Sequence, residues 1–294
     1  MCKRMKHVLV FFLFLFESLY AYNVSRMIVI ADVHGDIPRL QTILQDANVI
    51  DINNKWIATN HTLVIQLGDQ IDPKDVDSHD IPDKHHFAMI YYTHELKKQA
   101  IDHNSDFISH IGNHEYKHID KIRRKIYLRE IIAFRPIVSI QGKYLFCHGG
   151  FKLRHYYLLN IYNKTMDDLN DIWFKYVVGL KLTAIEKVIL QNLIMDKQDG
   201  ILYTRTDDDK YAINKLLDIM NLDYIFVGHT ETTQMHVTNK IWHLDMVLKT
   251  AFDAHTYNYL IIENDQIIIK SLSNPSNNSI KPNLTFQKYN VRFY

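Results

Sequence analysis

Five apolar runs in this chain each stop at a cluster of the same few residue types. "RMIVIA" (26–31) runs into Asp32, His34, Gly35 and Asp36, and "TLVIQLG" (62–68) into Asp69 and Asp72. "DFISHIG" (106–112) runs into Asn113, His114 and Glu115, "KYLFC" (143–147) into His148, and "DYIFVG" (223–228) into His229. Each run has the length and composition of a buried strand. A buried strand that ends on carboxylates and imidazoles carries a large desolvation cost unless something charged sits opposite. In open α/β sheets, ligands gather beyond the carboxyl ends of the strands, so five such ends can converge on one place.

Helical spacing separates these runs: residues 38–50, 84–101, 119–133, much of 152–196, and 211–221. Within 119–133 the apolar stripe is read as Ile119, Ile122 and Ile126. From residue 223 onward, short strands follow one another with tight turns such as Asn264-Asp265. An α/β first half and a strand-rich second half predict two sheets packed face to face with helices outside. No linker divides the chain, so residues 22–272 read as one domain and 273–294 as a turn-rich peripheral tail.

With 47% hydrophobic and 23% charged residues among 294, the composition is that of a folded protein rather than a disordered one. A net charge of +1 offers no bulk attraction to nucleic acid, and no nucleic-acid partner is expected. Cys2 and Cys147 lie far apart in sequence, one of them inside an apolar strand, which disfavours a structural disulfide. Lys3, Arg4, Lys6 and His7 precede "VLVFFLFLF" (8–16), the charged-then-apolar order of a signal peptide or membrane anchor over residues 1–21. That segment points to the secretory pathway or to membrane association through residues 1–21 alone; without it the expectation is cytoplasmic. Sequons at Asn23, Asn60, Asn163, Asn277 and Asn283 fit secretion and are also expected by chance in an Asn-rich chain.

The strand-end residues offer carboxylates, imidazoles and one amide oxygen, with no thiolate. Such a set suits borderline divalent metals such as Mn²⁺, Fe²⁺ or Zn²⁺. Six donors are too many for one tetrahedral ion, and a shared carboxylate lets them serve two. Two metals about 3.5–4 Å apart clamp both oxygens of an in-line displacement and acidify a bridging water. That chemistry is phosphate-ester hydrolysis.

"DVHGD", "GDQID", "GNHE", "CHGG" and "GHT", in this order, resemble the phosphoprotein phosphatase family of calcineurin-like metallophosphoesterases. "RPIVSIQGKYLFCHGG" and "ILYTR…DYIFVGHT" resemble its bacterial-type, Shewanella-like branch. The resemblance implies an α/β fold with four layers, αββα, in which two mixed sheets are flanked by helices. It implies two divalent metal ions, Mn²⁺ foremost and Fe or Zn as substitutes. Asp32 and His34 would hold the first, Asn113, His148 and His229 the second, and Asp69 would bridge both. His114 would be the general acid, oriented by Asp72, while a hydroxide between the metals attacks phosphorus. A phosphoprotein (Ser/Thr or Tyr) or a small phosphoester is the implied substrate. The alternatives are hydrolysis of diadenosine polyphosphates and a pseudophosphatase that binds phosphate without turnover.

Departures from the family pattern are also visible. The second motif continues as Pro73-Lys74 where the family has Arg-Gly, so the phosphate-gripping arginine is missing. Lys74 can offer a point charge to the same oxygens but not a bidentate fork. Arg205 in "LYTR" matches the branch's second phosphate arginine, and Arg135 in "FRPI" an arginine near the site with a structural or supporting role. His243 stands where the branch has arginine, and reads as a cross-strand residue. The basic stretch "YKHIDKIRRKIYLR" reads as a solvated helix face, with attraction of an acidic substrate as the competing reading.

Overall fold

Alternate side chains of the first strand, β1 (Arg26–Ile30), serve two different cores, which fixes the architecture from the outset. Met27 and Val29 point to one face, Ile28 and Ile30 to the other, and all four are buried. A strand apolar on both faces must be covered on both faces. The computed structural model describes residues 24–59, 61–72, 87–205, 210–246, 256–273 and 287–290. The expectations for residues 1–21, for Pro73 and Lys74, and for the sequons at Asn23, Asn60, Asn277 and Asn283 lie outside the described residues.

In one sheet β1 lies between β2 (Thr62–Gln66) and β9 (Thr256–Glu263). Strand β3 (Asp106–Ser109) extends it beyond β2, and β10 (Gln266–Ser273) and β11 (Gln287–Asn290) extend it beyond β9. The β1–β2–β3 pairings are parallel and the β1–β9–β10–β11 pairings antiparallel. The second sheet holds β4 (Val138–Gln141), β5 (Tyr144–Cys147), β6 (Tyr224–Val227), β8 (Ile241–His243) and β7 (His236–Thr238), in that order. Its three central strands are parallel and both edges antiparallel. Asn264 and Asp265 both take left-handed backbone (φ 49° and 58°) at the β9–β10 turn, as a two-residue hairpin requires.

The sheets face each other across Val29, Leu63, Ile65, Phe146, Phe226, Trp242, Leu260 and Ile267. Phe226 stacks between Phe146 and Trp242 with ring centroids 4.9 and 6.2 Å away. Helices α1 (Ile37–Asp46) and α2 (Ala88–Asp102) cover the outer face of the first sheet through Leu40, Ile43, Leu44, Met89 and Leu96. On the second sheet's outer face lie α3 (Asn113–Lys117), α4 (Ile119–Arg124), α5 (Ile126–Ala133), α6 (Leu153–Ile161), α7 (Met166–Val178), α8 (Ala184–Ile189) with one π-turn after it, and α9 (Lys210–Met220). The four-layer αββα arrangement is therefore present. Cys147 is buried within this helical core, an inert small hydrophobe whose thiol pKa burial pushes up.

One expected element is two. Residues 119–133 break at Lys125, which takes an extended conformation (φ −104°, ψ 105°). Ile119 and Ile122 are buried as expected, but Ile126 is 65% exposed and Leu128, Ile131 and Ile132 take over the core. Six residues separate Ile122 from Leu128, which is out of phase with a 3.6-residue turn, so one straight helix cannot bury both stripes. The extended residue rephases the second. The helix expected over 38–50 also stops early, because Asn48 turns left-handed (φ 52°) and feeds Val49 and Ile50 into the core.

The core between the sheets carries stability that the exposed Ile126 does not. Trp242→Ala is expected to cost about 3–5 kcal/mol and Ile126→Ala no more than about 0.5 kcal/mol. Urea unfolding of the two variants beside the parent chain checks the contrast.

Candidate active site

The carboxyl ends of strands from both sheets meet. Asp32 and His34 follow β1, Asp69 and Asp72 follow β2, and Asn113 and His114 open α3 beyond β3. His148 and His229 follow β5 and β6 in the other sheet. Within the first sheet, Val33 and His34 donate their backbone N–H groups to the Asp69 carbonyl at 3.2 and 3.0 Å. Bonds that join the sheets at this end include His148 Nδ1–H donating to the Leu67 carbonyl at 2.8 Å and the His229 N–H donating to Asp32 Oδ1 at 3.2 Å. All six residues expected to ligate metal, and the His114–Asp72 pair, are thereby brought into one nest.

His34, Asp69, Asp72 and His229 all have left-handed backbone, at φ 44°, 49°, 61° and 58°. Non-glycine residues in that region cost on the order of 1 kcal/mol or more each and persist only where the surroundings hold them. A buried carboxylate holds the Asp69 turn. Glu115 Oε2 accepts the N–H groups of Asp69 (3.0 Å) and Gly112 (2.8 Å), and Oε1 those of Gln70 (2.8 Å) and Ile71 (3.3 Å). Gly112 passes so close to Asp69 that a Cβ there would overlap its backbone and carboxylate. Arg135 is buried one layer further out, donating to Gln70 Oε1, to the Ile90 carbonyl at 3.0 Å and to Thr93 Oγ1 at 2.8 Å. Its role is to pin the loop after β2.

Carbonyl partners decide which nitrogen of each imidazole stays open, since a carbonyl only accepts. His34 Nδ1–H donates to the carbonyls of Ile71 (3.2 Å) and Asp72 (3.1 Å), leaving Nε2 open. The bond from His148 Nδ1 likewise leaves its Nε2, 2.9 Å from Asn113 Oδ1 and 3.3 Å from Asp69 Oδ1. His229 Nε2–H donates to the Tyr203 carbonyl at 3.0 Å, leaving Nδ1. Rings pinned through one nitrogen with the other open are the usual preparation for ligation. Among the described residues, donor atoms within 4.8 Å of one another form two triads that share Asp69: His34, Asp69, His114 and Asp69, His148, His229. Asp32 lies between them, with Oδ2 3.8 Å from His34 Nε2 and Oδ1 3.9 Å from His148 Nδ1.

The electrostatics call for positive charge. Burial and the neighbouring Asp245 carboxylate push the Asp32 pKa well above the usual range. Burial also opposes ionisation of Asp69, but His148, His114 and His34 outweigh it and hold Asp69 below the ordinary value. His148, though burial disfavours its charged form, is raised to about 10 by the Asp69 and Asp32 carboxylates. His229 is lowered to about 3 by burial and by His148. A divalent cation among these oxygens satisfies the carboxylates without a proton and takes both imidazoles in neutral form. The donor set therefore fits divalent metal ions.

Beside the nest, His114 Nδ1 lies 2.8 Å from Asp72 Oδ2, and its Nε2 is 3.7 Å from Asp69 Oδ2. Burial disfavours the charged form of His114, but the Asp72 hydrogen bond together with the Asp69 and Glu115 carboxylates outweighs it and the pKa rises. Asp72 is held in turn by Lys117 Nζ at 3.0 Å and by His118 Nε2 at 2.8 Å. Arg205 is exposed at the rim, with Nη1 3.5 Å from the His229 carbonyl. His243, buried in β8, stacks on His236 with centroids 5.0 Å apart, as a cross-strand residue does.

Several participants escaped the sequence reading. Glu115 was in view within "GNHE" but had no role, because its four partners are backbone groups. Lys117 and His118 looked like part of a basic face. Asp245 was in view beside His243 but had no role, and the buried Arg39, three residues past the first motif and facing Asp36, Asp245 and Asp32, had none either. The one available signal was the spacing Glu115–His118, one helical turn past the strand end.

A two-sheet sandwich with a histidine–carboxylate nest at its joined strand ends defines a class of hydrolase, and residues 25–231 match the calcineurin-like phosphoesterase family, to which the chain belongs. Members of this class are phosphoric ester hydrolases. Shewanella-like protein phosphatase 1 of Plasmodium berghei is 25% identical across 83% of this chain and 73% of its own length. Shewanella-like protein phosphatase 2 of Arabidopsis thaliana is 26% identical over 33% of this chain and 22% of its own. The cold-active protein-tyrosine phosphatase of a psychrophilic Shewanella shares the fold, with a TM-score of 0.65 at 18% identity over 84% of this chain and 78% of that one. A serine/threonine phosphatase of Saccharomyces cerevisiae also shares it, with a TM-score of 0.53 at 16% identity over 89% and 84% of the two chains. The relatives support the Shewanella-like branch.

The Glu115 latch makes a sharp expectation. Glu115→Ala strands four backbone N–H groups and should cost about 3 kcal/mol or more, since each buried unmet donor costs roughly 1–3 kcal/mol. Glu115→Gln, with one acceptor oxygen left, should fall between that variant and the parent. Urea midpoints in the absence of added metal measure the order; equal midpoints for all three would sink it.

Proposed function

We propose that this chain is a metal-dependent phosphomonoesterase acting on a phosphorylated protein side chain. The observation that carries the reading is the pair of donor triads sharing Asp69, with the His114–Asp72 dyad against one of them. Asp32 and His34 would hold one divalent ion and Asn113, His148 and His229 the other, with Asp69 common to both. Ions bound there would supply Lewis acidity to the phosphoryl oxygens and an acidified water at neutral pH. Mn²⁺ is the first candidate, with Fe or Zn accepted by the same donors.

The chain's own residues do the rest. Arg205, exposed beside the His229 carbonyl, offers its guanidinium to the phosphoryl oxygens. The Asn113 amide, with its oxygen 2.9 Å from His148 Nε2 at the start of α3, is assigned a phosphoryl contact as well. Lys74 is assigned a phosphate contact from the sequence alone and lies outside the described residues. His114, whose pKa the Asp72 hydrogen bond helps to raise, gives its proton to the departing alkoxide or phenoxide oxygen. Proteins that share this fold include both a tyrosine and a serine/threonine phosphatase, which supports a phosphoprotein substrate without choosing between them.

Chelation should abolish hydrolysis of phosphopeptides and of small aryl phosphates, and Mn²⁺ should restore it. His114→Asn should keep its metal, measured by elemental analysis, while kcat falls about 10²–10⁴-fold. Full turnover after chelation would overturn the reading. Exclusive release of nucleoside diphosphate from diadenosine tetraphosphate would replace it, and stoichiometric metal without turnover on any ester would favour a binding role.

The pH profile carries a separate sign. Asp72 raises the His114 pKa, so Asp72→Asn should lower it, and the acid form should be lost at lower pH. The alkaline limb of kcat should therefore move toward acid in Asp72→Asn. A limb that stays in place would remove Asp72 from the proton transfer.

A further inference from the structure

The break at Lys125 has a second effect. It turns α5 against α4, so that Arg123 and Arg124 from the last turn of α4 and Arg129 from α5 line one cleft of about 330 Å³. Val177, Val178 and Gly179 at the end of α7 close its other side, and Asp120 completes the lining. Among the described residues, no carboxylate lies within ion-pair distance of any of the three guanidiniums. Arg129 Nε is shielded from solvent without a hydrogen-bond partner. Arg123 is fixed over the Tyr176 ring, with Cζ 4.9 Å from the centroid.

Complementing the carboxyl end of α7 takes one cation and does not explain three. Three guanidiniums less one carboxylate and roughly half a charge at the helix end leave the cleft at about +1.5. That is close to the charge needed to meet one phosphoryl dianion, and guanidinium forks match phosphate oxygens bidentately. The cleft is also near the metal nest along the chain. His118, which touches Asp72, caps the start of α4, and Arg123 lies five residues further, about 7.5 Å along a helix. An extended peptide spans such a distance in a few residues.

We propose that this cleft is a second phosphoryl-binding site, separate from the metal nest, that docks a further phosphorylated side chain of the substrate. It rests on the phosphatase reading only for the identity of the molecule that carries the phosphate. Free inorganic phosphate presents the same chemistry, and the test has an arm for each source. The competing reading of the basic stretch, as an attraction for acidic substrate, is thereby given a place and a ligand.

The test uses the full metal-loaded chain with ¹⁵N-labelled arginine and follows the side-chain Nε–Hε resonances. A peptide bearing two non-hydrolysable phosphonate side chains, its singly substituted counterpart and inorganic phosphate are each titrated. The expected result is saturable shifts at Arg123, Arg124 and Arg129, at least tenfold tighter for the doubly substituted peptide than for inorganic phosphate. Arg124→Gln, at an exposed position, and Arg129→Gln should each weaken that binding about tenfold or more, with hydrolysis of a small aryl phosphate unchanged. In kinetics, the parent chain should prefer doubly over singly phosphorylated peptide in kcat/KM, and Arg124→Gln should erase the preference. Equal affinity for inorganic phosphate would overturn docking of a substrate side chain and leave free phosphate as the occupant. Absence of saturable shifts with every probe would overturn the site altogether. Saturable shifts in a chain that hydrolyses no phosphopeptide would instead count against the function proposed above while supporting the cleft.

Discussion

Four backbone N–H groups converging on the two oxygens of Glu115 hold the centre of this molecule together. Three of them belong to the turn that carries Asp69, and the fourth to the approach of Asn113 and His114. Asp69 sits in a backbone region that costs energy, and it cannot adopt that turn unless its N–H finds an acceptor in a place closed to water. A carboxylate accepts four such bonds where a neutral amide offers one oxygen, which is why an acid is buried there. Burial and Asp69 both raise the Glu115 pKa, and the donated N–H groups oppose that rise. The loop geometry and the ionisation of the latch support each other.

Around that latch, the fold does one thing for the site: it aligns the carboxyl ends of parallel strands from two sheets. Each sheet supplies only part of the donor set. The first sheet contributes Asp32, His34, Asp69 and Asn113, and the second His148 and His229. Packing of Val29, Ile65, Phe146, Phe226 and Trp242 sets the distance between them. The His148–Leu67 and His229–Asp32 bonds then make the joint local and directional. Site and core are thus mechanically one structure, and the carboxylates that repel one another in the nest are the ones a cation would stabilise.

Much of this was legible in the chain. Asp32, His34, Asp69, Asn113, His148 and His229 each follow an apolar run, and the order of types at strand ends carries the chemistry before any coordinates. Glu115 was visible but mute, because hydrogen bonds to backbone groups leave no partner residue to recognise in sequence. His118 and Lys117 read as part of a basic face in sequence, yet both reach Asp72. The single helix expected over residues 119–133 failed at Lys125, since the stripe through Ile119, Ile122 and Ile126 is a valid helical period until Leu128 competes for the same core.

The chain alone determined its layers, the convergence of its strand ends and the kinds of atoms gathered there, because strand periodicity and residue chemistry are local properties. Only the tertiary structure decided which nitrogen of each imidazole stays open, which carboxylate is surrounded by N–H groups, and which arginines share a cleft. Those depend on carbonyls, turns and helix ends from segments distant in sequence, and no local pattern encodes the meeting of such groups.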